Sequence, residues 1–330
     1  MKELTLKPTV IAHRGASGYL PEHTLEAKAM AHALGADFLE QDLVLTKDDV
    51  PVVLHDIHID TISDVATKYP SRTRPDGRYY ALDFTLAELK TLRVSERFDP
   101  KTGAAVFSGR FPAHSGAFEI PTLIEEIELI QGLNKSTGRD VGIYPELKSP
   151  AWHRQQGHDI SKIILPILTR YGYGKARTRL NANFASGDIT NQKRCFLQCF
   201  ELNEIKRLRT ELGWEGNLVM LLDDVPKGDD GTDYRELHTA KGLKELAKIA
   251  DGIGPALTSV FDKNGKTTDL IKFAHAVKLV VHPYTHRKDA LPKYVKSSEE
   301  LFQKLFVEAK ADGIFSDFCD MVVHWRAKTR

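Results

Sequence analysis

The sequence has few cysteines, no long apolar run and no excess of charge of either sign. Its 330 residues include 3 cysteines, and Lys+Arg 46 stands against Asp+Glu 45, a formal net charge of +1. This balance argues against a basic surface for nucleic acid or for anionic membranes. No stretch has the length and apolarity of a transmembrane helix. The composition therefore indicates neither a nucleic-acid partner nor membrane insertion, and it leaves enzymes and small-molecule binding proteins open.

The cysteines are predicted to be free thiols. Cys195 and Cys199 lie in an apolar run typical of a strand, where four residues separate Cα atoms by roughly 13 Å. A disulfide requires Cα atoms within about 7 Å of each other. We therefore expect these two side chains, like Cys319, to pack as small hydrophobic groups.

Strand-like and helix-like segments alternate along nearly the whole chain, which is typical of parallel βα units. The predicted strands cover residues 9–13, 37–45 with a second piece at 52–55, 141–147, 195–200, 217–222, 251–257, 278–284 and 312–317. Predicted helices begin after Thr24 and Thr122 and near residue 319, and cover 159–171, 202–212, 241–250, 268–277 and 297–310. Eight strands, each followed by a helix, predict an α/β fold, a (β/α)8 TIM barrel, with residues 1–330 as a single domain.

Residues 58–119 do not fit the alternation. We interpret them as a small subdomain inserted after strand 2, with one short helix from Thr85 to Glu88. An insertion on a βα loop lies at the catalytic face of a barrel. A surface excursion without chemistry remains the alternative.

Acidic residues lie near the carboxyl ends of two predicted strands. Side chains alternate along a strand, so Glu40 and Asp42 share one face, as do Glu146 and Lys148. Unpaired buried charges are costly, and we expect the three carboxylates to surround one divalent cation. An oxygen-rich set suits Ca²⁺ or Mg²⁺. Ordinary ion pairs with Lys148 and Arg14 are the alternative.

Two histidines are predicted at the same rim. His13 ends the first strand and His55 ends the piece at 52–55. Histidine gives and takes protons near neutral pH, so the pair can supply the acid and the base that cleavage of a phosphodiester needs. The metal, Arg14 and Lys148 can supply positive charge against the phosphoryl oxygens.

The other histidines receive weaker assignments. His23 either faces the site or caps a helix, and a pocket role for His282 is left open. A surface position is expected for His32, His153, His158, His238, His275 and His324.

Taken together, these segments resemble the glycerophosphodiester phosphodiesterases. The resemblance rests on Ile11-Ala12-His13-Arg14-Gly15-Ala16, Pro21-Glu22-His23-Thr24, Glu40-Gln41-Asp42, Leu54-His55-Asp56 and Pro145-Glu146-Leu147-Lys148, and it extends to residues 313–318. Residues 76–80 and 281–285 are most similar to the bacterial periplasmic branch of that family.

The resemblance implies metal-dependent hydrolysis of glycerophosphodiesters, such as glycerophosphocholine and glycerophosphoethanolamine, to sn-glycerol 3-phosphate and an alcohol. It implies His13 and His55 as the acid and base, and the metal ligands Glu40, Asp42 and Glu146. It further implies phosphate contacts from Arg14 and Lys148 and pocket walls from Gln198, Phe200, His282 and Tyr284. Attack by the substrate's own 2-hydroxyl, through a cyclic phosphate, and direct attack by water both remain open.

Two other functions share this pattern. A lysophospholipase D or a sphingomyelinase-D-like enzyme needs apolar residues at the mouth, whereas the insertion carries Arg72, Arg74, Arg78, Lys101 and Arg110. A binding protein with a vestigial site is disfavoured because both histidines, all three carboxylates and Lys148 are present.

The compartment and the oligomeric state are left open. The periplasmic branch carries a signal peptide, whereas this sequence begins shortly before His13. We expect a cytoplasmic protein if the chain is complete and a periplasmic one if a signal peptide has been removed.

Overall fold

The computed structural model describes residues 7–174 and 194–329. Its strands are β1 (Thr9–Ala12), β2 (Phe38–Leu45), β3 (Pro51–Val53), β4 (Gly142–Leu147), β5 (Phe196–Cys199), β6 (Asn217–Leu222), β7 (Gly252–Pro255), β8 (Val280–Val281) and β9 (Gly313–Ser316). Its α-helices are α1 (Leu25–Leu34), α2 (Val65–Lys68), α3 (Leu86–Leu89), α4 (Leu123–Thr137), α5 (Pro150–Gln155), α6 (Ile160–Arg170), α7 (Leu202–Thr210), α8 (Tyr234–Leu237), α9 (Ala240–Leu246), α10 (Leu257–Val260), α11 (Leu270–Ala276), α12 (Ser298–Phe302) and α13 (Cys319–Lys328). A 3₁₀ turn covers Ala81–Asp83, and α12 continues as the π-helical segment Gln303–Glu308. Within the described ranges, no helix has the length and apolarity needed to cross a membrane.

The strands other than β3 form a parallel barrel in the order β8-β7-β6-β5-β4-β2-β1-β9. The two ends of this order meet through backbone hydrogen bonds. The Phe315 amide donates to the Pro283 carbonyl at 3.0 Å, and the His286 amide donates to the Phe315 carbonyl at 2.9 Å. The predicted (β/α)8 barrel is therefore confirmed.

The second extended piece of the sequence is not a barrel strand. β3 pairs antiparallel with β2, with Leu43 opposite Val53. The connecting turn is tight because the Val50 amide donates to Thr46 Oγ1 at 2.9 Å and Asp49 adopts a positive φ of 60°. This hairpin carries the chain back over the barrel rim, so His55 follows β3 rather than a barrel strand.

A layer of large side chains fills the barrel interior: Ile11, Phe38, Tyr144, Phe196, Val219 and Phe315. Tyr144 stacks on Phe196 with ring centroids 4.9 Å apart. Because side chains alternate along a strand, the residue two positions after a member of this layer points the same way, one level nearer the carboxyl end. The filled interior confines any chemistry to that end.

Helix ends occur where the capping signals predict them. Thr24 caps α1 by accepting the Ala27 amide, and Gly35 ends the helix in the left-handed conformation at φ 100°. Thr122 and Glu125 form a reciprocal capping box at the start of α4. The end of α1 fixes where β2 can begin, and the start of α4 fixes how that helix lies against the barrel.

Residues 58–119 pack against β2 and β3 through a second hydrophobic cluster, separate from the main core of the barrel. This cluster combines β2 and β3 residues, such as Val44 and Val52, with insertion residues such as Ile59, Phe84 and Leu92. The predicted short helix is present as α3, with Thr85 and Glu88 forming its capping box. The insertion is therefore packed against the hairpin that delivers His55.

Two histidines expected at the surface are buried. His32 Nε2 lies 3.0 Å from Asn134 Oδ1, where α1 packs on α4. His153 is fully enclosed under the end of β2, where its Nε2 accepts the Leu45 amide at 3.2 Å. The surface expectation fails because short helices bury polar faces against neighbours that the local pattern does not reveal. The cysteines are free and buried, as predicted.

Candidate active site

Three carboxylates converge at the carboxyl end of the barrel. Glu40 and Asp42 share one face of β2, and the register places Asp42 beside Glu146 of β4. One carboxylate oxygen from each of the three lies within 4.8 Å of the others, and all three residues are buried. The alternation of β2 and the parallel register of β4 thus bring together the predicted metal ligands.

Neighbouring groups hold the β2 carboxylates in place. Glu40 accepts the Arg14 backbone amide at 2.8 Å and the Gln198 Nε2 amide at 3.1 Å. Asp42 Oδ2 lies 2.7 Å from His23 Nε2, so His23 faces the site. Asp42 Oδ1 is buried without a hydrogen-bond partner. Such an orphaned anionic oxygen fits a cation ligand.

The electrostatics of the cluster also favour a cation. Burial, with Asp42 and Glu146 close by, raises the pKa of Glu40 well above its usual value. Burial and Asp42 raise the pKa of Glu146 to about 8, although Lys148 donates to it at 2.7 Å and opposes the rise. Burial opposes ionisation of Asp42 too, but Lys148 and His23 outweigh it and hold its pKa well below the usual range. The protein's own cations therefore stabilise only part of this negative charge.

His13 is oriented by an aspartate. Its Nδ1 lies 2.6 Å from Asp317 Oδ1, just past β9, and its Nε2 lies 3.8 Å from Glu40 Oε2. The ionised Asp317 only accepts hydrogen bonds, so Nδ1 carries the proton and Nε2 is left toward the carboxylates. Burial and Arg14 lower the pKa of His13 to about 4, against the pull of Asp317.

His55 repeats the arrangement from the other side. Its Nδ1 lies 2.6 Å from Asp56 Oδ1, and the same reasoning leaves its Nε2 free of the aspartate. Burial, Arg14 and Lys148 lower the pKa of His55 to about 4. Both predicted catalytic histidines therefore form Asp–His pairs with neutral imidazoles near pH 7.

One cavity of about 140 Å³ connects these groups. Its lining residues are His13, Arg14, Glu40, Asp42, His55, Glu146, Gln198, Phe200, Leu221, Tyr284, Thr285, Arg287 and Phe315. The cavity is smaller than a typical small-molecule pocket. The predicted wall residues Gln198, Phe200 and Tyr284 are among those that line it.

Two predicted site residues do not line this cavity. His282 belongs to the aromatic layer below, where its Nδ1 is 3.1 Å from the Tyr144 hydroxyl. Tyr284, two positions on, reaches the cavity instead. Lys148 lies behind Glu146 and lines an adjoining cavity. Its ammonium donates to Glu146 and lies 3.9 Å from Asp42 Oδ1, and its contact with phosphate stays a prediction.

The arginines of the insertion do not form a free basic mouth. Arg72, Arg74 and Arg78 pair with acidic residues of the insertion itself, and Lys101 is exposed. Arg110 alone of the predicted set reaches the site, where it donates to Asp317.

Four residues at the site were not predicted from the sequence: Asp56, Asp317, Arg97 and Arg287. The first two carried a signal. Asp56 directly follows His55, and Asp317 lies two positions after the interior residue Phe315, as His13 does after Ile11. Arg97 and Arg287 lie in irregular segments, and no local pattern distinguishes them from surface arginines.

Sequence comparisons cover nearly the whole chain. The sequence model of the Glycerophosphoryl diester phosphodiesterase family matches residues 13–321. A glycerophosphodiester phosphodiesterase of Haemophilus influenzae is 42% identical over 338 residues, which is 96% of this chain and 89% of the relative. One of Treponema pallidum is 34% identical over 342 residues, 97% of this chain and 92% of the relative.

Solved structures share the fold at lower identity. An Oleispira antarctica phosphodiesterase, in complex with the product sn-glycerol-3-phosphate, superposes with a TM-score of 0.62 at 22% identity and covers 96% of each chain. A glycerophosphodiester phosphodiesterase of Agrobacterium tumefaciens gives a TM-score of 0.59 at 17% identity, covering 97% of this chain and 99% of the other.

Proposed function

Because the chain belongs to the glycerophosphoryl diester phosphodiesterase family, we propose that it hydrolyses glycerophosphodiesters to sn-glycerol 3-phosphate and an alcohol. Family membership places it among the phosphoric diester hydrolases, as the sequence predicted. Glycerophosphocholine and glycerophosphoethanolamine are the substrates we propose. The Oleispira neighbour is in complex with sn-glycerol-3-phosphate. That product, held by a protein of the same fold, supports the proposed substrate class.

One observation carries the mechanism: two Asp–His pairs face the cavity that also holds the three carboxylates. Each aspartate occupies Nδ1 of its histidine, which leaves both Nε2 atoms for substrate. One imidazole accepts the proton of the attacking oxygen, and the other protonates the leaving alkoxide. An acid and a base fixed around a small cavity are what cleavage of a phosphodiester requires.

The lowered pKa values bear on these roles. A neutral imidazole is ready to act as the base, whereas the acid has to be protonated before the leaving group departs. Arg14 is among the causes of the lowered pKa of both His13 and His55. The negative charge of a bound phosphodiester next to Arg14 offsets that effect, so substrate binding itself favours protonation of one imidazole.

Glu40, Asp42 and Glu146 are the residues that would hold one divalent cation, Ca²⁺ or Mg²⁺. The donor set is oxygen only, and Asp42 Oδ1 has no hydrogen-bond partner, its nearest cation being Lys148 Nζ at 3.9 Å. When bound, the cation neutralises charge on the phosphoryl oxygens. Arg14, which lines the cavity, is the proposed phosphate contact from the chain itself.

The attacking nucleophile is either the 2-hydroxyl of the glycerol moiety or water. The first route gives a cyclic phosphate that water then opens, and both routes use the same two histidines. A substrate that lacks the 2-hydroxyl distinguishes them. Continued cleavage of that substrate, together with no cyclic phosphate trapped from glycerophosphocholine, points to water.

Small soluble diesters fit the rim better than lipids. Among the described residues, the large hydrophobic side chains that are exposed are Val106 and Val225. Two isolated valines do not make an apolar landing surface. The sphingomyelinase-D-like alternative lacks the lipid-facing mouth that it needs within these ranges.

The test is release of glycerol 3-phosphate from glycerophosphocholine, first with EDTA and then with Ca²⁺ or Mg²⁺ restored. We expect EDTA to abolish turnover and one ion to restore it. Turnover that resists EDTA contradicts the metal assignment alone. Absence of turnover on every glycerophosphodiester, with either ion, overturns the proposed reaction.

A further inference from the structure

Two arginines of the insertion lie at the carboxyl-end rim of the barrel. Arg97 and Arg110 both lie within residues 58–119, and their side chains are largely buried, with exposed fractions of 17% and 5%. Neither lines the cavity that holds His13, His55 and the three carboxylates, so neither is placed to touch substrate. Burying a guanidinium is costly unless its hydrogen bonds are satisfied, which makes the partners of these two arginines informative.

Arg97 holds the aspartate that orients His55. Its NH1 donates to Asp56 Oδ2 at 2.6 Å, while Asp56 Oδ1 lies 2.6 Å from His55 Nδ1. The other end of the guanidinium donates to Glu22, which also accepts from Arg14 at 2.9 Å. The chain of contacts runs from the insertion through one carboxylate to the imidazole.

Arg110 does the same for His13. Its NH2 donates to Asp317 Oδ2 at 2.7 Å, while Asp317 Oδ1 lies 2.6 Å from His13 Nδ1. Asp289 in turn holds Arg110 through two contacts, at 2.8 and 3.0 Å. Arg287 adds a second donor to Asp317 Oδ2 at 3.0 Å.

We propose that Arg97 and Arg110 are positioning residues through which the insertion fixes the two Asp–His pairs. The inference rests on the proposed function, because it takes His13 and His55 as the acid and base. A carboxylate bound at one oxygen only can rotate and carry its imidazole with it. A guanidinium on the second oxygen fixes the plane of the carboxylate, and thereby the direction of Nε2.

If Arg97 and Arg110 only anchored the insertion to the barrel, their replacement would have a different effect. An anchor contributes to stability, and its loss lowers the melting temperature without a specific effect on turnover. A positioning residue contributes to the geometry of the reacting groups. Its loss lowers kcat and leaves the KM for substrate and the affinity for metal nearly unchanged.

The experiment is a double-mutant cycle for each pair. Arg110→Gln and Asp317→Asn are made singly and together, and Arg97→Gln is combined with Asp56→Asn in the same way. We expect Arg97→Gln to lose roughly tenfold to a hundredfold in kcat on glycerophosphocholine. Arg110→Gln should lose less, because Arg287 still donates to Asp317 Oδ2. We expect little further loss when the aspartate is already replaced, since the arginine acts through it.

Arg74→Gln is the matched control. Arg74 also lies in the insertion and holds a carboxylate with two contacts at 2.8 Å, but that carboxylate belongs to Asp83, within the insertion. Its variant should keep the wild-type kcat. Arg97→Lys and Arg110→Lys serve if a glutamine variant does not fold. Lysine keeps the charge but lacks the planar guanidinium that joins Asp56 to Glu22 and Asp317 to Asp289, so kcat should still fall.

The outcomes separate the two proposals. Arginine variants within twofold of the wild-type kcat, beside an active wild type and an inactive His55→Ala enzyme, overturn this inference alone. Losses in Arg97→Gln and Asp56→Asn that simply multiply in the double variant also overturn it, as they would for Arg110 and Asp317. An inactive wild type overturns the proposed function and this inference with it. Full turnover by His55→Ala overturns the acid–base assignment and this inference, and leaves the proposed reaction standing.

Discussion

At the scale of single residues, the site is defined by which atoms are already occupied. His13 and His55 each have Nδ1 bound to an aspartate, and Asp42 keeps one buried oxygen without a hydrogen-bond partner. Occupied atoms set orientation, and unoccupied ones are left for proton transfer or for a cation. The proposed chemistry follows from that division.

Glu40 gives a prediction at this scale. Glu40→Gln removes one anionic ligand, so affinity for Ca²⁺ or Mg²⁺ should fall at least about tenfold. Burial, and then repulsion from Asp42 and Glu146, raises the pKa of Glu40 in the wild type, and the same change relieves that repulsion. The melting temperature in EDTA should therefore stay the same or rise.

Isothermal titration with each ion, beside melting curves in EDTA, checks both parts. The control is Glu128→Gln, because Glu128 is exposed on α4 away from the cluster. Unchanged metal affinity in Glu40→Gln would exclude Glu40 as a ligand.

At the scale of strands and helices, alternation explains what the sequence could predict. Glu40, Glu146 and Gln198 each lie two positions after an interior residue, Phe38, Tyr144 and Phe196 respectively. Their convergence follows from period-two geometry and parallel pairing. The same rule fixes a face but not a depth, which is why His282 was expected in the pocket wall and lies one layer below Tyr284.

The insertion marks the limit of that reasoning. Residues 58–119 have no periodicity that assigns a face, so Arg97 could not be told apart from the arginines that pair locally. Its role depends on contacts with Glu22 and Asp56, 75 and 41 positions away. Contacts of that kind are set by tertiary packing rather than by local pattern.

The capping box of α4 provides a prediction at this scale. Thr122→Ala removes the side chain that accepts the Glu125 amide, so the free energy of unfolding should fall by about 1 kcal/mol. Urea unfolding measures the change. Thr137→Ala, at the other end of the same helix, is the control and should alter stability by less than about 0.5 kcal/mol, since Thr137 is exposed and bonds to a carbonyl of its own helix. Equal losses in both variants would contradict the assigned cap.

At the scale of the whole molecule, the barrel buries several histidines in neutral form. Burial lowers the pKa of His153, His282 and His286 to about 4. An unfolded chain protonates such groups near pH 6.5. Their contribution to stability is therefore complete above pH 6.5 and is lost as the pH falls toward 4.

His153 isolates this effect. Its Nε2 accepts the Leu45 amide, so protonation would set two donors against each other. His153→Gln keeps an acceptor and removes the titration. The difference in unfolding free energy between wild type and variant should shrink by up to about 2 kcal/mol between pH 7 and pH 5. Urea unfolding at the two pH values checks it, and a constant difference would mean that His153 titrates normally in the folded protein.

Family and fold were predictable from the sequence because their motifs lie at strand ends, whereas the details of the site were not. The motifs around His13, Glu40, His55 and Glu146 lie at strand ends, and the family match from residue 13 to 321 agrees with them. Which of the remaining polar residues touch the site depends on loops between the strands. Arg287 lines the cavity although nothing in its segment indicates it.

The most direct test of the central claim uses two substrates and two variants. His13→Ala and His55→Ala should each lower kcat on glycerophosphocholine by roughly 10²–10⁴ with metal binding intact. Glycerophospho-p-nitrophenol carries a leaving group that needs no proton, so it should restore turnover in the variant that lacks the acid and not in the variant that lacks the base. Two variants that respond alike to the better leaving group, or either one with unchanged kcat on glycerophosphocholine, would contradict the acid–base pair.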